Sequence, residues 1–342
     1  ISSQTGSGKT VALGLVIAEE VVEAVNLVNR GPVRARPSVV LIAPTRELAV
    51  QLTEELSWLF KPLGATVVSL TGGTSLGIDC RDLKRDPQVL VGTPGRVRDH
   101  LERGSLELDR VRVVALDEAD EMLAMGFEEE VSAILDATPE DRRTHLVSAT
   151  FPPRVRSVAA RHQRDSLMIA GTTPGESNSD IDYRTMVVAA NQRLSALVNV
   201  LLMEPDAKTL IFVRTRIDTT GLSDALADLG FAARPLSGDL NQRERTSTLN
   251  AFRRGQTPIL VATDVAARGL HMPDVSHVIN YNLPEVPETY LHRIGRTARA
   301  GAAGTAISCC SAEDRPNLRR IEKLIGQTLK VQEVQVVDLH LL

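Results

Sequence analysis

Two short strings hold the residue types that nucleotide chemistry needs. In TGSGKT (5–10), two glycines precede a lysine and a threonine, and the residues that follow, VALGLVIAEEVVEAV, have a helical pattern. A Gly-rich turn opening a helix presents several backbone N–H groups, and the positive end of the helix dipole, to phosphate oxygens. Thr5, Gly6, Ser7 and Gly8 would form that cradle, Lys9 would reach the outer phosphates, and the Thr10 hydroxyl would ligate Mg²⁺. The second string, VVALDEAD (113–120), runs four apolar residues into Asp117 and Glu118. An acid pair at the end of a buried strand can hold Mg²⁺ through Asp117 and orient or deprotonate a water through Glu118. Taken alone, the same acids could cap the next helix. A phosphate loop by itself does not separate a kinase from a GTPase or a motor. Together the two strings favour nucleotide hydrolysis.

Hydrolysis also needs positive charge at the transition state. YLHRIGRTARAG (290–301) places Arg293, Arg296 and Arg299 at every third residue. On a helix these side chains would project from neighbouring positions toward one target. Arginines supplied by a second domain can complete a site built by the first, and such fingers account for large factors in rate. A solvated basic face is the plainer alternative.

These residues need elements to hold them. SVVLIAP (38–44), QVLVGTP (88–94), VRVVALDEAD (111–120) and THLVSAT (144–150) are apolar runs separated by helical patterns. Such runs predict an α/β fold whose parallel sheet is covered by helices on both faces. Ligands of these sheets bind beyond the carboxyl ends of the strands, where Lys9, Thr45, Thr93, Asp117 and Ser148 all fall. GTTPGESNSD (171–180) has no periodicity and reads as a short flexible linker. Beyond it TLIFVRT (209–215), ARPLSGD (233–239), PILVATD (258–264) and HVINYNLP (277–284) restart the alternation. The expected organisation is a first domain over 1–170, a linker over 171–182, a second domain over 183–329 and an apolar tail over 330–342.

Composition narrows the class. The 342 residues are 43% hydrophobic and 24% charged, the balance of a globular protein long enough for two cores. A net charge of −4 argues against coating nucleic acid by bulk positive charge, and 3% aromatic content argues against extended base-stacking platforms. Cys80, Cys309 and Cys310 lack the number and spacing of a zinc site or a disulfide framework. No apolar run approaches a membrane span and no secretory start is visible. A cytoplasmic protein with no membrane partner and no metal cluster is expected.

With DEAD at 117–120 beside the phosphate loop and HRIGRTARAG, the sequence resembles the DEAD-box RNA helicases. The match continues in order through PTRELA (44–49), TGG (71–73), TPGR (93–96), SAT (148–150), LIFVRT (210–215), QRER (242–245) and ATDVAARG (262–269). The resemblance implies two RecA-like domains that close together on ATP, with Mg²⁺, and on single-stranded RNA, locally separating short duplexes. It implies Lys9 and Thr10 on phosphate and Mg²⁺, Asp117 on the metal, Glu118 as base, and Arg296 and Arg299 on the γ-phosphate. Asp120, Ser148, Thr150, His292 and Arg293 would couple nucleotide to closure. RNA would meet Thr45, Arg46, Gly72, Gly73, Thr93 and Arg96 in the first domain. In the second it would meet Arg214, Gln242, Arg245, Thr263, Asp264 and Arg268. Hydroxyls, glycine backbone and arginines of this kind grip phosphate and sugar without reading bases.

Three departures stand out. The family's adenine-reading segment, and the core strand that leads into a phosphate loop, are expected ahead of Ile1, so the first domain is expected to be incomplete at its start. His271 occupies the place of an aspartate that, by the resemblance, bonds the ATP ribose; either it predicts weaker nucleotide affinity or it is simply a surface loop residue. Ala298 replaces a glycine, a change of one methyl.

Overall fold

The computed structural model describes residues 9–27, 36–169, 180–270, 272, 274–298 and 302–332. The chain divides into two compact units, one of residues 1–172 with 269–271 and one of residues 173–268 with 272–342. Among the described residues the strands form one sheet of five and one of seven, and every strand pairing is parallel.

In the first unit β1 (Val39–Ile42), β2 (Val67–Leu70), β3 (Val89–Gly92), β4 (Val113–Leu116) and β5 (Arg143–Leu146) stand in the order β2-β3-β1-β4-β5. β1, β3 and β4 are buried along their whole length. Successive side chains of a strand point to opposite faces, and β1 divides accordingly. Val40 and Ile42 join one apolar core with Leu90, Val114 and Leu116, while Val39 and Leu41 join another with Leu13, Ile17, Leu52 and Leu56. Each fully buried Leu or Ile stabilises by roughly 1.5–3 kcal/mol. These unbroken apolar runs therefore make sense only between two helical layers. Register places the ends of β1, β3 and β4 level, with Ile42 opposite both Gly92 and Leu116. Residues that follow these strands emerge along one sheet edge.

The second unit holds β6 (Ile181–Val187), β7 (Thr209–Phe212), β8 (Ala233–Leu236), β9 (Ile259–Ala262), β10 (His277–Asn280), β11 (Gly304–Cys310) and β12 (Lys330–Gln332). Their order is β12-β6-β11-β10-β7-β9-β8. Two expected boundaries shift. Ile181 and Asp182, read as linker, belong to β6, and Lys330 to Gln332, read as tail, pair with β6 at its outer edge. Linker residues 171–179 and tail residues 333–342 lie outside the described residues.

Ala298 has φ +52°. Its departure from glycine is therefore conformational, not a matter of one methyl's volume. The left-handed region costs an L-residue roughly 1–2 kcal/mol. Reverting to glycine relieves that strain but gives back unfolded-chain entropy of about 0.4–1 kcal/mol and some packing of the methyl on the Tyr290 cluster. Strain is the larger quantity. Ala298→Gly is expected to raise the second unit's stability by a few tenths to about 1 kcal/mol. Ala298→Val, β-branched at positive φ, is expected to lower it. Thermal melts of the three proteins check the order.

Candidate functional site

The first unit gathers its chemistry beyond β4 and β5. Asp117 follows Leu116 directly, and its N–H donates to the Ile42 carbonyl at 2.9 Å, extending the sheet register by one residue. The chain then turns sharply. Glu118 adopts φ 49°, ψ 50°, the left-handed region, which a glutamate occupies at a cost of roughly 1–2 kcal/mol. Residues held in such conformations cluster at functional sites. Glu118 occupies the N-cap position of the helix Ala119–Ala124, yet its side chain makes no capping hydrogen bond. The helix-capping alternative is thus not realised for this acid. Asp117 Oδ1 accepts the Glu118 N–H at 3.0 Å, and both residues are more than nine-tenths buried.

Asp120 ties this turn to the end of β5. Its Oδ2 accepts from the Thr150 N–H at 2.8 Å and the Thr150 hydroxyl at 2.6 Å, while its own N–H donates to Ser148 Oγ at 3.2 Å. Ser148, fully buried, donates onward to the Thr150 carbonyl at 2.7 Å. Asp120, Ser148 and Thr150, expected to act together, are brought together. Thr10 lies half-buried at the start of the helix Lys9–Val16, whose Leu13 packs in the core shared with β1 and β4. Thr5, Gly6, Ser7, Gly8 and the Lys9 side chain lie outside the described residues, as do His271 and Arg299.

Further along the same edge stand the residues expected to meet RNA. Thr45 caps the helix Arg46–Phe60, its Oγ1 accepting the Leu48 N–H at 3.4 Å. Thr93 caps the helix Pro94–Glu102 with backbone alone and makes no side-chain cap bond. The Arg46 guanidinium lies over the turn after β2. A Cβ built on Gly73, φ +81°, would stand 2.0 Å from Arg46 Nη1, against 3.3 Å to Nη2 for one built on Gly72. The backbone angle is what calls for glycine at 73, since the Arg46 tip is the far end of a flexible side chain and can shift aside. Gly73→Ala is expected to destabilise the first unit by about 1–2 kcal/mol, and Gly72→Ala by less, as read by thermal melts.

Arg96 is the surprise among these residues. Its Nε lies 2.8 Å from Asp79 Oδ2, its Nη2 donates to the Thr74 carbonyl and hydroxyl, and its side chain is only 13% exposed. Sequence reasoning missed Asp79, Thr74 and His100, the other members of this cluster. The available signal was a histidine at an otherwise apolar position of a helix and an acid in the first turn of the helix Leu76–Leu83.

In the second unit the arginine series departs from the spacing argument. The helix Pro287–Ile294 ends at the C-cap Gly295, so Arg296 lies beyond it and does not share a helical face with Arg293. Arg293, 97% buried, points into its own unit. Its Nε and Nη2 donate to the two carboxylate oxygens of Asp264 at 2.6 and 2.8 Å. Its Nη1 donates to Asn280 Oδ1 at 3.0 Å and the Asn282 carbonyl at 2.7 Å, and the guanidinium lies 4.9 Å from the Phe212 ring centre. Asp264, expected on RNA, and Arg293, expected to couple, are thus each other's partner. Arg296 Nε donates to the His292 carbonyl at 3.3 Å. Thr263 Oγ1 accepts the Ala266 N–H at 3.4 Å, and Arg245 Nη2 donates to the Ala266 carbonyl at 2.8 Å. Arg214 and Gln242 are exposed, and Arg268 follows the helix Asp264–Ala267.

Known proteins share this architecture. Residues 1–158 match the DEAD/DEAH box helicase family and residues 192–301 the helicase conserved C-terminal domain. The DEAD-box ATP-dependent RNA helicase CshA of Geobacillus kaustophilus is 39% identical over 336 residues, covering 98% of this chain and 70% of the relative. The chain belongs to the DEAD-box RNA helicase family. The ATP-dependent RNA helicase DeaD of Mycobacterium tuberculosis is 40% identical, and the chain spans 98% of itself and 58% of that relative. Among solved structures, S. cerevisiae Dbp5 bound to RNA and ADP BeF3 is 31% identical with a TM-score of 0.82, covering 97% of this chain and 84% of that one. Mss116p bound to ssRNA and AMP-PNP is 27% identical with a TM-score of 0.85, covering 98% and 70%. The two sheets are those of the family's two RecA-like domains. Among the described residues no helix is long and apolar enough to cross a membrane.

Proposed function

We propose that the chain is an RNA-dependent ATPase whose two domains close on ATP and single-stranded RNA, locally separating short duplexes. The observation that carries this reading is Glu118. It is a buried acid held in a strained turn at the end of β4, without a capping role and one residue from Asp117. The donor set suits Mg²⁺, because a carboxylate and a hydroxyl are hard oxygen ligands and this ion completes its shell with water and substrate phosphates. Asp117 and Thr10 would hold it. Once bound, it would neutralise charge on the phosphates.

Glu118 would take the proton of the attacking water. Asp120 stands in the first turn of the helix that Glu118 opens and is hydrogen-bonded to Ser148 and Thr150. A shift at the nucleotide would therefore be felt at the end of β5. Arg296 and Arg299 would supply positive charge to the transition state, as in the family. Thr45, Arg46, Gly72, Gly73 and Thr93 would meet the RNA backbone on the first domain, and Arg214, Gln242, Arg245, Thr263 and Arg268 on the second. Few charges would be engaged by a net acidic chain, so binding would be salt-sensitive and indifferent to base sequence. Contacts to 2′-hydroxyls would favour RNA over DNA.

The decisive measurement is ATP hydrolysis with single-stranded RNA, with single-stranded DNA of the same sequence and with neither. RNA-specific stimulation is expected. Equal stimulation by DNA would favour a DNA-directed motor, and RNA binding without turnover would favour a clamp.

A further inference from the structure

We propose that Asp79 is a positioning residue for RNA, acting through Arg96; this rests on the reading of the chain as an RNA-dependent ATPase. Asp79 sits in the first turn of the helix Leu76–Leu83, immediately after the Gly72–Gly73 turn, and is 98% buried. Arg96 sits in the first turn of the helix that Thr93 opens. The ion pair between them therefore joins two loops that emerge separately from β2 and β3.

Both carboxylate oxygens of Asp79 face polar neighbours. Oδ2 faces Arg96 Nε at 2.8 Å and takes a hydrogen bond from His100 Nε2 at 3.1 Å. Oδ1 lies 3.0 Å from the Thr74 hydroxyl, which is also 2.8 Å from the Thr71 carbonyl. His100 is wholly buried, and its second ring nitrogen, Nδ1, lies 2.7 Å from Ser105 Oγ. The imidazole is thus pinned at both ends and cannot swing away from the carboxylate.

A buried ion pair of this kind gains little over an apolar pair of equal volume, because desolvation consumes most of the attraction. What it supplies is direction. The planar guanidinium has its Nε against the fixed carboxylate, as an ion pair, while its Nη2 donates to the Thr74 carbonyl and hydroxyl, so few orientations satisfy both. Arg96 is thereby held as a brace between the 71–75 turn and the Thr93 helix start. Loss of Asp79 would leave both loops in place but free to drift by the fraction of an ångström that phosphate contacts do not tolerate.

The test is a double-mutant cycle on ATPase activity titrated with a single-stranded oligouridylate. Asp79→Asn, which keeps the volume, is expected to raise the half-saturating RNA concentration about tenfold. Turnover at saturating RNA and the KM for ATP should stay within about twofold. Asp79→Glu should recover part of the loss. In an Arg96→Ala background the same Asp79→Asn change should add less than about twofold, since the residue it directs is gone. Independent, multiplicative effects would overturn the proposal, as would a fall in turnover with RNA half-saturation unchanged. Should Asp79→Asn fail to fold, Thr74→Val, at an exposed turn, replaces it in the cycle with the same expected non-additivity. Wild-type protein whose ATPase ignores RNA would overturn the underlying functional reading and not this assignment alone.

Discussion

Glu118→Gln is expected to lower ATP turnover by about 10²–10⁴-fold, the range a positioned general base contributes, while ATP-dependent RNA binding persists. The substitution isolates the proton-accepting role. Glutamine has the same length and volume, places an amide where the carboxylate stood, and meets the same backbone cost at φ 49°. It removes the negative charge, and with it the capacity to take a proton. Asp117 and the Asp120–Ser148–Thr150 bonds, which use other atoms, stay in place. Turnover measured at saturating RNA, alongside RNA retention with a non-hydrolysable ATP analogue, separates the two properties. Turnover within tenfold of wild type would show that another group serves as base.

The largest structural effect is expected at Arg293. Arg293→Ala strips four hydrogen bonds from one buried guanidinium, leaving Asp264, Asn280 and the Asn282 carbonyl to find other donors. Breaking a buried pair costs about 3–5 kcal/mol. Asp264 keeps 29% of its side-chain exposure, so water recovers part of that and the lower end applies. For a unit of this size about 3 kcal/mol lowers the melting midpoint by roughly 6–12 °C. Only the second unit's transition should move in a calorimetric scan. Arg293→Lys is expected to rescue little, since one ammonium cannot span Asp264 bidentately and still reach Asn280. A first-unit shift of equal size would refute the assignment of Arg293 to its own unit.

That result also bears on what the sequence could tell. The acid pair, the Ser148–Thr150 string and the central strands were legible because each is a local pattern: an apolar run, then a polar residue at the strand end. β6 and β11 were not. Asp182 and Arg184 interrupt β6, and β11 reads GTAISCC, small residues with no strong apolar signature. Their pairing with each other supplies what their composition lacks. Side-chain direction was the other hidden quantity. Arg293, Arg296 and Arg299 look equivalent at a spacing of three, but Gly295 ends the helix between the first two. Likewise Asp79 and His100 lie 21 residues apart, and only the fold makes them neighbours. The left-handed angles at Glu118 and Ala298 carry no sequence mark at all, since neither residue type prefers them.

The strand order of the second sheet has a consequence for how the chain is made. β6 is the first strand of that unit to leave the ribosome, yet its two neighbours, β11 and β12, are the last. Val187 must wait for Cys310, and Met186 for Gln332. At about 5–20 residues per second the first wait is roughly 6–25 s and the second roughly 7–29 s. During the first a seven-residue strand stands with both edges unpaired, the situation in which long-range parallel pairing is slow and aggregation-prone. Asp182 and Arg184, the same charges that disguise β6 in the sequence, would keep the waiting strand soluble until its partners arrive.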